Sequence, residues 1–142
     1  MKLGIEREFS LQHRLDEKGN SESQNIEQRS VYLRGKVVAI CEAILREEMG
    51  AIAGSRILNK LEIELLHHAT FGSFTRDEDF LVFVAIDSET DYLPVDFERH
   101  NWSTEALERK DQEVTKAEQW AKELAFPACK KLIERFRFDA DI

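Results

Sequence analysis

Hydrophobic positions along this chain recur mainly at spacings of three and four, the signature of helices rather than strands. From Glu27 to Met49, Val31, Val38, Cys41, Ile44, Leu45 and Met49 follow that period, and Gly50 offers a C-terminal stop. After the connection Gly-Ala-Ile-Ala-Gly, Ser55 is placed to cap a second helix reaching about His68, with Ile57, Leu58, Leu61 and Leu65 as its buried stripe. So short a link predicts an antiparallel hairpin. The last amphipathic run, capped by Ser103 or Thr104, carries Leu107, Val114, Ala117, Ala121, Leu124, Ala128, Leu132, Ile133 and Phe136. Pro127 lies inside it, where a missing amide and a clash with the preceding turn cost about 3 kcal/mol, so a kink or break is expected there.

The middle of the chain is less regular. Seven consecutive apolar residues, Phe80–Ile86, suit either a buried strand or a helix that is apolar all round and central to the core. Two signals favour the helix. Thr75-Arg76-Asp77-Glu78 has the spacing of a capping box, and acids at 77–79 suit the positive end of a helix dipole. No other segment offers a convincing partner strand. His-Ala-Thr-Phe-Gly-Ser-Phe-Thr before it reads as a loop, and Pro94 ends the element. Residues 1–27 are polar and weakly periodic, and Asp-Glu-Lys-Gly-Asn-Ser-Glu-Ser-Gln-Asn within them reads as a flexible link. The expected fold is mainly α: residues 28–142 as a single domain, an antiparallel bundle of about four main helices, the last kinked or broken near Pro127.

Charge changes this picture more than composition does. With 142 residues, 42% hydrophobic and 34% charged, the chain fits one globular domain. No apolar run approaches the roughly 20 residues that span a bilayer, and the N-terminal stretch lacks the apolar core of a signal peptide. Membrane association is therefore not expected, and the cytoplasm is. The net charge of −8 argues against nucleic acid as partner, because that binding depends on Lys and Arg releasing counterions. The charge is also uneven. Residues 76–99 hold eight acids and two bases, so three quarters of the net charge sits in about a sixth of the chain.

Candidate chemistry is sparse. Cys41 and Cys129 fall among apolar neighbours and read as buried, reduced thiols. Glu64 and His67 have the Glu-x-x-His spacing of di-iron bundles, but such sites need a second copy and two further glutamates. The simpler expectation puts His67 and His68 at a helix C-terminus, where a cation is favoured. No phosphate-binding, nucleophile-elbow, zinc-protease, calcium-loop or dinucleotide motif occurs, and no cofactor is expected. Asp87-Ser88-Glu89-Thr90-Asp91 stands apart. If Phe80–Ile86 is helical, these acids crowd the helix's negative end and cost about 0.3–1 kcal/mol each unless paired. Either bases such as Arg99 or Arg34 pair them internally, or they are held for a basic partner. Tyr92, Asp96, Phe97, Glu98 and Trp102 lie close by, and aromatics among acids suit an interface.

The stretch Phe83–Leu107 resembles a family of short bacterial proteins of unknown function that share Ile-Asp-Ser-Glu-Thr-Asp, Leu-Pro and Trp-Ser, here Ile86–Asp91, Leu93-Pro94 and Trp102-Ser103. The resemblance extends loosely over about residues 30–136. It implies a small bacterial helical protein and carries no activity.

The leading expectation is a non-enzymatic acidic interaction module, in its specific form an immunity protein that neutralises a basic toxin such as a nuclease. Its binding patch would be Asp87, Glu89, Asp91, Tyr92, Asp96, Glu98 and Trp102, and homo-oligomers are compatible with it. The alternative is a small helical metal-binding or carboxylate-using enzyme built on Glu64 and His67 with the acids of Asp87–Asp91. In a third arrangement the acidic segment only closes the bundle through internal salt bridges.

Overall fold

A computed structural model describes residues 18–67 and 77–141, with side chains over 25–67, 77–95 and 99–137. Four α-helices are described: α1 (Lys18–Leu45), α2 (Ala51–His67), α3 (Leu81–Thr90) and α4 (Thr104–Asp141). A 3₁₀ turn, Glu78–Phe80, leads into α3, and a 3₁₀ segment, Asp96–Asn101, precedes α4. No strand is present among the described residues.

Cross-helix pairs fix the directions. Arg29 of α1 meets Glu64 of α2 at 2.7 Å, while Ile44 of α1 lies against Gly54 at the other end of α2. Asn59 meets Asp87, and Arg56 reaches the end of α3. Glu42 pairs with Arg137, and Glu47 pairs with Lys122 at 2.8 Å. Each helix therefore runs antiparallel to the one before it, as in an up-down-up-down bundle. The core takes Leu33, Val37, Cys41 and Ile44 from α1 and Ile52, Leu58 and Leu61 from α2. Phe80, Phe83 and Ile86 enter from the α3 side, with Phe80 edge-on to Phe83 at a centroid distance of 6.5 Å. Ala121, Ala125 and Cys129 give α4 a small-residue face toward α1. Both cysteines are buried free thiols, and a hydrogen bond to Cys129, then burial, pushes the Cys41 thiol above its ordinary pKa.

Several local expectations are corrected. The described part of the first helix reaches back to Lys18, beyond the expected Glu27, through a polar stretch with no apolar stripe. Its buried line is Leu33, Val37, Cys41 and Ile44, and Val31 is exposed. The helix stops before Gly50. Glu47 adopts a left-handed φ of 58°, with its amide bonded to the Ile44 carbonyl and the Glu48 amide to the Ala43 carbonyl, a Schellman stop with glutamate where glycine is usual.

Ser55 is not a cap. It lies one turn inside α2 and donates to the Ala51 carbonyl at 2.7 Å. The N-terminus of α2 is capped from α4 instead: the Ala51 and Ile52 amides donate to the Glu118 carboxylate, the latter at 3.2 Å. Ala51 to Gly54 are thus helix rather than linker. A Cβ on Gly54 would stand 2.5 Å from Ile44 Cδ1, so the hairpin closes tightly there.

Phe80–Ile86 is helical, entered through Asp77, whose side chain accepts from the Asp79 amide at 2.9 Å. Thr75 and Arg76 lie outside the described residues. α3 is not buried all round, since Leu81 is 48% exposed. Ser103 caps α4 through the Ala106 amide at 3.1 Å. α4 passes through Pro127 without a break. Pro127 and Glu123, whose carbonyl loses its usual donor, both face solvent, where water can satisfy that group. Leu124, expected in the core, is 39% exposed.

Candidate functional site

α3 lies between α2 and α4, and its two ends treat acidic residues differently. At the N-terminal end, Arg135 pairs with Asp77 at 2.8 Å and with Asp79 at 2.7 Å, and Lys131 reaches Asp79 at 3.2 Å. Partial burial alone would raise the Asp77 pKa, but hydrogen bonds from Arg135 and the Asp79 amide outweigh it and hold the carboxyl below its ordinary value. The negative charge is also favoured there by the helix dipole.

At the C-terminal end, among the described residues, only Asp87 finds a cation. Arg56 of α2 stands 3.6 Å from it through Nε, and Asn59 Nδ2 donates to it at 2.9 Å. The same Arg56 donates to the Thr90 carbonyl at 2.5 Å and to the Leu93 carbonyl at 3.2 Å. One cation thus offsets both an acid and part-buried carbonyls at and just beyond the helix end. Arg99, expected to pair with this segment, pairs with Asp111 of α4 at 3.1 Å. Glu89 and Asp91 are exposed and make no ion pair among the described residues. Tyr92, 52% exposed, donates through its hydroxyl to Glu113 at 2.9 Å, and Lys110 stacks over its ring at 5.4 Å. The hydrogen bond to Glu113 raises the tyrosine pKa and lowers that of the carboxyl. Trp102 is half-buried just before α4, and the side chains of Asp96 and Glu98 lie outside the described residues.

Exposed apolar groups gather around the same helix. On its α2 side, Ile63 and Val84 face each other across a cleft of about 380 Å³ that Lys60, Asp87 and Asp91 also line. On its α4 side the anchor points are Glu113 at one end and Lys131 at the other. About five helical turns separate them, so Trp120 and Leu124, seven and eleven residues past Glu113, fall on the same line. Of the seven large hydrophobic side chains exposed among the described residues, five lie on or beside α3: Ile63, Leu81, Tyr92, Trp120 and Leu124. That concentration sets this face apart from the rest of the surface, where single exposed hydrophobics are ordinary.

Of the sequence-predicted patch, Asp87, Glu89, Asp91 and Tyr92 share the C-terminal end of α3. The apolar members were missed, because exposure on a helix flank depends on which neighbour stands beside it. The metal alternative gains no further ligands. Glu64 pairs with Arg29, His67 is exposed at the helix end, and no cluster of three or more His, Cys, Asp or Glu side chains suited to a metal occurs among the described residues. No described helix is long and apolar enough to cross a membrane.

Fold and site together define an all-α antiparallel bundle with an acidic, partly apolar face along its shortest helix. No protein-family model matches the chain, and neither a curated protein nor a solved structure matches it.

Proposed function

We propose that this protein is a non-enzymatic interaction module that docks a basic protein on the α3 face. In the specific form we favour, it is an immunity protein that neutralises a basic toxin such as a nuclease. The observation that carries the reading is the pair Glu89 and Asp91, without cations among the described residues and beside Ile63, Leu81, Tyr92, Trp120 and Leu124, while Asp77 and Asp79 at the other end of α3 are paired. Exposed aromatic and aliphatic groups would supply the desolvated centre of an interface. Unpaired carboxylates would speed encounter with a basic surface and fix its register.

The test is affinity capture with the intact protein and with a Glu89→Lys/Asp91→Lys variant, followed by identification of what is retained. The expected result is a basic protein held by the wild type at low salt, released at high salt and lost in the variant. Retention that ignores the reversals, or retention of no basic protein, overturns the reading. Co-expression decides the immunity form: the captured protein should be toxic alone and harmless beside the wild type.

A further inference from the structure

We propose that the cleft between α2 and α3 receives a single arginine side chain of the basic partner. The inference rests on the interaction reading above and assigns one contact within it. The cleft's volume of about 380 Å³ lies at the small end of the range for ligand sites, roughly 300–1,000 Å³, which suits one side chain. Its lining is chemically mixed. Ile63 and Val84 supply an apolar surface for the methylene stem and the flat face of a guanidinium. Asp87 and Asp91, one helical turn apart and three and seven residues past Val84 on the same face of α3, supply carboxylates beside it.

The two carboxylates are not equivalent. Asp87 is held in place by the Asn59 amide and stands near Arg56 at 3.6 Å, a loose contact. Asp91 has no such partner among the described residues and is placed to pair with an incoming cation. Arg56, although it lines the cleft, directs its guanidinium to the Thr90 and Leu93 carbonyls and so offers no open anion site. Lys60 is the remaining cation at the rim, exposed and without an ion pair among the described residues. It opposes a guanidinium and would favour an anion, so its removal separates those two ligands by sign. Arginine fits better than lysine because its planar fork can address two carboxylates while lying on an apolar wall.

The experiment is an amide NMR titration of the full-length protein with N-acetyl-arginine-N-methylamide. The matching citrulline compound, which keeps the shape without the charge, is the control. Saturable shifts should centre on Ile63, Val84, Asp87 and Asp91, with citrulline much weaker. Asp91→Asn should weaken binding about fivefold and Lys60→Ala should strengthen it by a similar factor, the effect of one unit charge at ~4 Å in water. Both are exposed substitutions, and an unchanged circular dichroism spectrum confirms that folding is retained. Equal binding of citrulline, shifts elsewhere only, or weakening by Lys60→Ala overturns the inference. If arginine fails to bind while Glu89→Lys/Asp91→Lys still abolishes partner capture, this inference alone falls. If arginine binds as expected but no basic protein is captured, the guanidinium receptor is supported and the docking reading falls.

Discussion

The two ends of α3 carry similar acidic sequences and have opposite fates. At the entrance, Asp77 and Asp79 meet Arg135 and Lys131 and lie at the favourable end of the helix dipole. At the exit, Glu89 and Asp91 sit at the unfavourable end without cations among the described residues, and Arg56 is occupied by Asp87 and two carbonyls. The entrance acids tie α3 to α4. The exit acids tie it to nothing described, which is what a docking surface requires. Acidity in a sequence therefore states a demand for positive charge, and the fold decides whether that charge comes from within.

The comparison holds only if α3 is a firmly packed platform. Phe83→Ala, which empties a fully buried site, should lower unfolding stability by about 3–5 kcal/mol in denaturant titrations. A loss under about 1 kcal/mol means that α3 is not seated and neither end is fixed. Arg56→Ala should cost about 1–3 kcal/mol, since Asp87 loses its cation and the Thr90 and Leu93 carbonyls each lose a charged donor, with Asn59 and the Leu93 amide left to Asp87 and Thr90. No loss would place the helix end in solvent and dissolve the contrast with the entrance.

Arg135→Ala should cost about 1 kcal/mol, the scale of a half-exposed network. It should also change the acid limb of stability. The folded Asp77 carboxyl is depressed below its ordinary 3.8, so its contribution is complete above about pH 4 and disappears as pH falls through the lowered value. Unfolding measured against pH should show a shallower decline in that window for the variant. The smallest effect belongs to the exit: Glu89→Lys/Asp91→Lys should alter stability by no more than about 0.5 kcal/mol. A cost matching that of Arg135→Ala would show that those acids serve the monomer after all.

Much of the architecture was legible. Three of the four helices follow from hydrophobic spacing, and the helical state of Phe80–Ile86 from the capping-box spacing of Thr75–Glu78 and the acids at 77–79, although the described cap is Asp77. Much of what escaped the sequence depends on a group remote along the chain, and the turn of α1 on a local backbone conformation that its residue type does not announce. α2 begins at Ala51 because Glu118 caps it from α4, so the local signal at Ser55 misled. α1 turns at Glu47, a residue that gives no stop signal, although Gly50 stood three positions on. Leu124 has the spacing of a core residue but lies on the flank that α3 leaves uncovered.

The candidate site divides the same way. Glu89, Asp91 and Tyr92 were visible as a concentration of charge with an aromatic beside it. Ile63, Val84, Leu81 and Trp120 were not, because periodicity alone does not say which apolar positions a neighbouring helix covers.

By itself, the sequence determined the helical period, the approximate helix limits and the excess of acid around α3, all properties of neighbours within a few residues. The tertiary structure alone decided which carboxylates meet arginine, which helix end is capped from afar and which apolar flank stays open. Those outcomes depend on distances between atoms dozens of residues apart, and only the packed bundle sets them.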